Sequence, residues 1–300
     1  MSNELRGLID DYLDMLSLQG RSHNTLRAYA HSLRYMERFF AEHHPRRLDD
    51  PESIRPRELV AWYASRRESG LAPTSVGKLH TDARAFFNWC VREEEWSRNP
   101  ISRVKAPRVE AEPVSLVDPE TTRALLALEW KSPFFTARNR AIILVLLDSG
   151  VRVSELTGMQ VDDLDMSQGR VTVTGKGGRV RVVPLGRSSR VALRRYLRRR
   201  ERFPHGHFSA LWVGMQGPIK SIAVNKILEI ACERAGVPHV KPHAFRHTFG
   251  HSALRAGARE GDVMYIGGWR TREMLDRYGA AGRAQRALEA HADFSPGDAL

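Results

Sequence analysis

The spacing of apolar residues changes along this chain, and that change limits the possible folds more than any other feature. Over residues 5–95, apolar residues recur every three or four positions, which is the period of amphipathic helices. Over residues 170–183 the period becomes two, in two β-branched runs on either side of the glycine-rich turn 175–178. That pattern predicts a β-hairpin. Helical spacing then resumes, so the chain is predicted to be mostly α-helical with a small β-sheet.

Glycine and proline residues divide the helical pattern into segments. Before residue 100 the spacing predicts a bundle of four or five helices, four of them at about residues 5–19, 24–42, 57–69 and 73–95. Pro100, Pro107 and Pro113 then interrupt the period, which is typical of an extended linker. We therefore expect a helical domain over residues 1–100, a linker over 101–113 and a second domain over 114–300.

The second domain combines helices with the hairpin, which predicts an α+β fold. One helix is expected to open at Asp118, and the others are expected at residues 139–149, 187–202, 219–235, 242–255, 260–266, 272–279 and 283–291. The hairpin strands are expected at residues 170–174 and 179–183.

Basic residues are concentrated in this second domain. The chain has 47 Lys and Arg against 35 Asp and Glu, a formal net charge of +12, and residues 170–202 hold 12 of the basic residues and one acidic residue. Such a cluster is typical of a surface that binds nucleic acid. Leu193 and Leu197 lie on the stripe of the predicted helix that faces the core. The residues predicted to contact duplex phosphates are Arg187, Arg194, Arg195, Arg198 and Arg199.

Other features of the sequence argue against membrane and secreted proteins. The longest apolar run, Ala141–Leu147, is much shorter than the ~18 residues of a membrane span. The N-terminal residues lack the pattern of a signal peptide, and two cysteines, Cys90 and Cys232, cannot form a disulfide framework. We therefore expect a cytoplasmic protein with no membrane partner.

The short motifs of the second domain each have an ordinary structural explanation when taken alone. Lys176 lies at the tip of the hairpin in a Gly-Lys-Gly turn that lacks the spacing of a phosphate-binding loop. Arg152 and Glu155 are spaced as a surface ion pair at the start of a helix, where backbone N–H groups also favour anions. Trp269 and Tyr278 are typical of packing residues.

Four histidines at intervals of four residues suggest a metal site, but their context argues against one. They are His239, His243, His247 and His251. The helical zinc motif has a glutamate directly after its first histidine. Here Arg246 lies between the two central histidines, where it would repel a cation. A histidine and an arginine three residues apart on one helix face are better suited to an anion, so no metal is predicted.

In chain order these residues resemble the catalytic set of the tyrosine recombinase (phage integrase) family, which runs Arg, Lys, His-x-x-Arg, His or Trp, and Tyr. The matching residues are Arg152, Lys176, His243, Arg246, Trp269 and Tyr278. The strings at 25–29, 72–75 and 86–89 are similar to the DNA-clamping, SAM-like core-binding domain of that family. The resemblance covers about residues 5–285 and implies this helical domain followed by an α+β catalytic domain.

The resemblance implies a site-specific DNA recombinase that works through a 3′-phosphotyrosyl intermediate. Arg152 and Arg246 would bind the nonbridging phosphate oxygens bidentately, and Trp269 would add a donor. Tyr278 would be the nucleophile, and His243 would accept its proton. Lys176 would protonate the departing 5′-oxygen, because an ammonium group can lose a proton and a guanidinium cannot. Glu155 and His247 would support the site without taking part in the chemistry.

The same resemblance implies that the protein acts as a homotetramer on double-stranded DNA with specific core sites, through a Holliday junction. The phosphotyrosyl bond conserves the energy of the phosphodiester, so ATP is not expected. Cationic side chains would stabilise the phosphate, so no metal ion or other cofactor is expected either. Accessory DNA-bending proteins are possible partners. Trp269 stands where chromosome-dimer-resolving Xer recombinases have histidine, which favours an integrase of a phage or other mobile element.

Three alternatives remain. A Xer-type resolvase of chromosome or plasmid dimers would use the same chemistry on a different site. A DNA-binding relative without activity is disfavoured because all six residues of the catalytic set are present. A metal-dependent nuclease would need clustered carboxylates, and the cluster at Asp162, Asp163 and Asp165 is better explained as the loop before the hairpin.

Overall fold

A computed structural model describes residues 3–94, 96–107, 115–175, 177–279 and 291, with the side chains of 276–279 excluded. The described chain is mostly helical and falls into two compact units, Met1–Glu112 and Pro113–Leu300. Within the described residues, no helix is both long and apolar enough to cross a membrane. The two units are considered separately below.

The first unit is a bundle of five α-helices. They are α1 (Glu4–Leu18), α2 (His23–His43), α3 (Arg46–Asp49), α4 (Pro56–Glu68) and α5 (Pro73–Glu93), with a 3₁₀ turn at Pro51–Ser53. Ser22 caps α2 by accepting a hydrogen bond from the Thr25 N–H, and prolines begin α4 and α5, where the missing N–H costs nothing. The four helices predicted from apolar spacing are therefore present, with ends within about two residues of those predicted.

Aromatic side chains fill the core of this bundle. Tyr12 packs edge-on against Phe86, with ring centroids 5.6 Å apart, and Phe40, Trp62 and Phe86 are fully buried. Ile101 and Val104 belong to the same core. The core therefore extends past residue 100 into the segment that the sequence assigns to the linker, because apolar side chains beyond the last helix fold back onto it.

The second unit contains eight α-helices and two small sheets in its described part. The helices are α6 (Pro119–Ala127), α7 (Pro133–Ser149), α8 (Val153–Gly158), α9 (Arg187–Arg200), α10 (Ser221–Ala235), α11 (Pro242–Arg255), α12 (Glu260–Gly267) and α13 (Arg272–Gly279). The strands are β1 (Leu164–Asp165), β2 (Arg170–Thr174), β3 (Val180–Pro184), β4 (Val213–Gly214) and β5 (Gly217–Pro218). The helix predicted at 283–291 lies outside the described residues, apart from His291.

The predicted hairpin is present, and a third short strand extends it. Strands β2 and β3 pair antiparallel with Val171 opposite Val183, and β1 pairs with β2. The sequence did not predict β1 or the pair β4–β5, because strands of two residues have no measurable period. The aspartates at 162, 163 and 165 lie in the 3₁₀ turn and strand before the hairpin, as expected.

Helix α7 is the centre of the second unit. Its residues Ala141, Ile142 and Leu146 are fully buried, and α9 and α11 both pack against it. The carboxylate of Asp148 accepts a hydrogen bond from the Gly186 N–H at the start of α9. Helix α7 therefore fixes the positions of both the arginine-rich helix and the helix that carries the histidines.

Helix α9 has the predicted two-sided pattern, with one important exception. Leu193 and Tyr196 are fully buried, and the arginines predicted to face solvent are exposed: Arg187, Arg194, Arg195, Arg198 and Arg199. Arg200, by contrast, is buried, and its guanidinium donates to the carbonyl oxygens of Gly206, Phe208, Ala210 and Leu211. This arginine closes the loop after α9, so the number of basic residues in the cluster overstates its exposed charge.

Candidate active site

A left-handed glycine at the end of α7 turns the chain toward the first predicted site residue. Gly150 has φ +60°, and a Cβ at this position would overlap the ring of Phe249. Both the conformation and the space therefore require glycine. The turn places Arg152 at the residue before α8, with its side chain about one-third exposed.

Glu155 lies in the first turn of α8 and is hydrogen-bonded on both carboxylate oxygens. Its Oε2 accepts from the backbone N–H of Arg152 at 2.8 Å, and its Oε1 accepts from Arg152 Nη1 at 2.9 Å. The side chain of Glu155 is only 2% exposed, so the carboxylate of the predicted surface ion pair is buried, whereas Arg152 stays partly exposed. The backbone N–H that was expected to favour an anion is therefore already bonded to this carboxylate.

Arg181 on β3 also binds the carboxylate of Glu155, and it was not among the site residues predicted from the sequence. Its Nη1 and Nη2 donate to Oε1 and Oε2 of Glu155 at 3.0 and 2.9 Å. Burial alone would raise the pKa of Glu155, but the bonds from Arg181 and from the Arg152 backbone lower it below its usual value. One signal was available: strand alternation puts Arg181 on the same face as the buried Val183, an unusual place for a charge.

Helix α11 carries the predicted His243 and Arg246 on one side. Arg246 is 2% exposed, and its Nη1 donates to the Gly150 carbonyl at 2.7 Å and to the Gly267 carbonyl. Its bond to Gly150 joins α11 to the turn before Arg152. Arg152 Nη2 donates to the Gly268 carbonyl at 3.1 Å. The two predicted phosphate-binding arginines are thus held by neighbouring carbonyl groups.

The surroundings of His243 and His247 on this helix lower the pKa of both imidazoles below the usual value. Partial removal of the ring from water and the positive charges of Arg246 and Arg152 lower the pKa of the exposed His243. Burial and the neighbouring His243 and Arg246 lower the pKa of His247 to about 4. The two rings are 4.3 Å apart and nearly perpendicular. A neutral imidazole at position 243 can accept a proton.

The segment Ile266–Gly268, called the strap below, comprises the last two residues of α12 and the glycine that ends the helix before Trp269. The ring of Trp269 is 5% exposed, and the Arg246 guanidinium lies 4.2 Å from its centroid. A Cβ on Gly267 would overlap this indole, and Gly268 has φ +64°. The glycine pair therefore allows the indole of Trp269 to pack closely against the end of α12.

Two of the predicted residues lie partly or wholly outside the described structure. Lys176 is not described, although the preceding Gly175 is close to the site, since a Cβ there would lie 3.1 Å from Glu155 Oε1. Position 278 lies in α13, but the side chain of Tyr278 is not described. Helix α13 packs against α11 and α12, and its Leu275 is buried in one cluster with Trp269.

The exposed arginines of α9 form a separate basic surface. Arg187, Arg195, Arg198 and Arg199 line an open cleft of about 1060 Å³ together with residues of α6 and α7. None of the described site residues lines this cleft. Across the described chain, no group of three or more His, Cys, Asp or Glu side chains is arranged to hold a metal ion.

Comparison with known families agrees with this geometry. Residues 117–284 match the model of the phage integrase family, and residues 9–94 match the phage integrase N-terminal SAM-like domain. The chain belongs to the phage integrase family. It is a site-specific DNA recombinase of the tyrosine type, with an N-terminal SAM-like domain and a catalytic domain.

Similar curated proteins extend over most of the chain. Tyrosine recombinase XerD of Shewanella oneidensis is 30% identical over 257 residues, 84% of each chain. XerD of Listeria innocua is 28% identical over 260 residues, covering 85% of this chain and 87% of the relative.

Two solved structures show the same fold at low sequence identity. The integrase of transposon Tn1549, in complex with transposon right-end DNA, has a TM-score of 0.74 at 19% identity and covers 96% of this chain and 99% of its own. A lambda integrase tetramer bound to a Holliday junction has a TM-score of 0.70 at 17% identity, covering 89% of this chain and 77% of its own.

Proposed function

We propose that this recombinase cleaves DNA by attack of Tyr278 on a phosphodiester held by Arg152 and Arg246. One observation carries the proposal. Arg152, directly before α8, and Arg246, on α11, donate hydrogen bonds to adjacent carbonyl groups of the strap. Two guanidinium groups fixed in this way offer preorganised donors to the nonbridging oxygens, where negative charge grows during the reaction. His243 and Trp269 lie at the same centre and would add donors there.

The protonation states of the groups around this centre suggest which residues transfer protons. His243 is neutral, because partial burial and two cations lower its pKa, so it can take the phenolic proton as Tyr278 attacks. The bond from phosphorus to the 5′-oxygen then breaks and a 3′-phosphotyrosyl bond forms. Lys176 would give its proton to the departing oxygen. Glu155 and His247 would hold the arginines and His243 in place.

Rejoining is the reverse of cleavage, with a 5′-hydroxyl from another strand as the nucleophile. Because the phosphotyrosyl bond keeps the energy of the original bond, the cycle needs no ATP, and the two arginines would supply the positive charge for which other phosphoryl-transfer enzymes use a metal ion. Strand exchange through a Holliday junction needs four active subunits, as in the lambda integrase tetramer, so we assign this chain a homotetramer on paired core sites. Accessory DNA-bending proteins would act at this level.

We further propose which parts of the chain hold the duplex. The SAM-like domain, residues 1–100, would clamp DNA together with the catalytic domain, residues 114–300, and the segment 101–113 would connect them. The exposed arginines of α9 would contact phosphates without reading the sequence of bases. The choice of site then depends on other residues.

For the biological role, we propose integration or excision of a phage or other mobile element. Trp269, in the place where Xer recombinases have histidine, favours this role. The relatives named XerC and XerD, which match over most of their length, favour dimer resolution instead. Mapping the chromosomal sites that the protein binds decides between them. Sites at the ends of a mobile element support integration, and one site near the replication terminus supports resolution.

The central experiment is a covalent-adduct assay. DNA selected by the purified protein from a random pool is nicked next to the cleavage point, so that the departing fragment diffuses away and the adduct accumulates. We expect an adduct in the presence of EDTA with the wild type and none with Tyr278→Phe. Tyr265→Phe, which changes an exposed tyrosine of α12, is the matched control and should form the adduct. An adduct with Tyr278→Phe, or one that requires a divalent metal, contradicts the proposal.

A further inference from the structure

We propose that Arg181 is a positioning residue of the cleavage reaction, which holds both phosphate-binding arginines through Glu155 and the strap. The inference rests on the function proposed above. The Arg181 side chain is only 10% exposed, and three of its nitrogen atoms donate hydrogen bonds inside the protein. It therefore acts through its neighbours and does not bind the phosphate itself.

The first of these neighbours is Glu155. Its carboxylate has about four acceptor positions, and four donors fill them: two from Arg181, the Arg152 backbone N–H and Arg152 Nη1. Without Arg181, half of these bonds would be lost in a buried place. The Arg152 guanidinium would then be the nearest cation, and it would turn toward Glu155 and away from the substrate.

The second neighbour is the strap. Arg181 Nε donates to the Ile266 carbonyl at 2.8 Å, and Nη2 lies 3.4 Å from the Gly267 carbonyl. The strap also binds the two phosphate-binding arginines, because the Gly267 carbonyl accepts a hydrogen bond from Arg246 and the Gly268 carbonyl accepts one from Arg152. A Cβ on Gly268 would lie 2.8 Å from the Arg181 Cζ. The strap therefore follows the position of this guanidinium.

Charge balance gives Arg181 a further effect. The buried Glu155 carboxylate carries one negative charge, and a single neighbouring arginine would be neutralised by it. Arg181 supplies the compensating positive charge, so Arg152 and Arg246 can both act on the phosphate as it gains negative charge in the transition state. Lysine at position 181 would keep the charge but could not form the forked bond to both carboxylate oxygens.

The test compares two substrates in single-turnover cleavage at saturating DNA. One is the normal phosphodiester, and the other is a methylphosphonate, which lacks one charged oxygen and needs less stabilisation by cations. We expect Arg181→Lys and Arg181→Met to slow cleavage of the phosphodiester by about 100-fold. On the methylphosphonate we expect a loss at least about ten-fold smaller. The dissociation constant for DNA should change by less than about three-fold, since Arg181 does not reach the duplex.

Arg138→Met is the control for a purely structural effect. Arg138 is also buried, and it bonds to Asn139 and to the Val213 carbonyl, away from Glu155 and the strap. This variant should lose stability while keeping the wild-type ratio of the two cleavage rates. All rates are measured below the thermal midpoint of each variant. If Arg181→Met does not fold, Arg181→Lys gives the result.

The proposal for Arg181 is wrong if its variants cleave the phosphodiester at the wild-type rate. It is also wrong if they lose equal factors on both substrates. A failure of the proposed function looks different, since in that case the wild type itself forms no Tyr278-dependent adduct.

Discussion

Several arginines of this protein are buried and hold the fold together through hydrogen bonds, so they add to the net charge but not to the exposed basic surface. A guanidinium has five N–H donors and is costly to bury unless they are bonded. Arg200 donates hydrogen bonds to four carbonyl groups, and Arg181 donates to a carboxylate and two carbonyl groups. Arg246 donates to two carbonyl groups and packs on the face of an indole ring. The same residue type therefore closes a loop at position 200, holds a buried carboxylate at position 181 and, in the mechanism that we propose, binds a phosphate at position 246.

His247 makes stability depend on pH in a defined direction. Its pKa falls from 6.5 in the unfolded chain to about 4 in the folded protein, chiefly through burial. Well above pH 6.5, His247 is neutral in both the folded and the unfolded state. Between about pH 6.5 and 4, His247 is protonated in the unfolded state and neutral in the folded state, so the free energy of unfolding decreases as the pH falls. His243 contributes in the same direction.

We expect His247→Asn to weaken this pH dependence. Urea unfolding of wild type and variant at pH 8 gives the loss that comes from packing alone, and the same measurement at pH 5 adds the protonation effect. The wild type should lose more free energy of unfolding than the variant between the two values. Equal losses would show that His247 does not resist protonation in the folded protein.

At the scale of elements, α9 presents two kinds of arginine within one turn. Arg198 and Arg199 are exposed and line the open cleft, whereas Arg200 is buried and bonded. Helical geometry explains this, because neighbouring positions differ by about 100° around the axis. The helix can therefore contribute to the core and carry the proposed DNA-binding surface at the same time.

Substitutions on α9 should separate these two roles. Arg200→Met leaves several carbonyl groups unbonded and should reduce the free energy of unfolding by about 3 kcal/mol. The salt dependence of DNA binding by this variant should not change. The double variant Arg198→Gln and Arg199→Gln should keep its stability but lower the salt slope, by about one for each lost phosphate contact. An unchanged slope in the double variant would place this face of α9 away from the duplex.

At the scale of the whole molecule, the described chain has a separate core in each unit. The core of the first unit runs from Leu5 to Val104, and the main core of the second runs from Val117 to Phe245. Each core is built from residues of its own unit, which is consistent with two family models that match separate parts of the chain.

A cavity in one core should therefore leave the other intact. Phe86 is fully buried in the first core, and Phe86→Ala should cost about 3–5 kcal/mol there. Hydrogen exchange followed by mass spectrometry should show faster exchange in peptides of α1, α2 and α5 and no change in α7. Leu146→Ala in the second core is the reciprocal control. Faster exchange across both units in either variant would mean that the two cores unfold together.

The sequence by itself determined the class of fold and the family, and it supplied the candidate catalytic residues. Apolar periods of 3.6 and 2 are local properties, so the helices and the hairpin could be predicted from them. The candidate set Arg152, His243, Arg246 and Trp269 could be proposed because the family motif has these residue types in a fixed order, and the structure brings these four residues together. The short strands, the buried Arg200 and the extension of the first core past residue 100 could not be predicted from spacing.

Only the tertiary structure decided how these residues are held. It changed the predicted surface pair of Arg152 and Glu155 into a buried network, and it added Arg181 from a strand 26 residues further along the chain. It also separated the basic cleft of α9 from the candidate active site, although Arg181 of that site and the α9 arginines belong to the same basic segment, residues 170–202. The physical reason is the same in each case. Burial and hydrogen bonding depend on residues that are distant in sequence, and those contacts exist only after α7, α11, the hairpin and the strap have packed together.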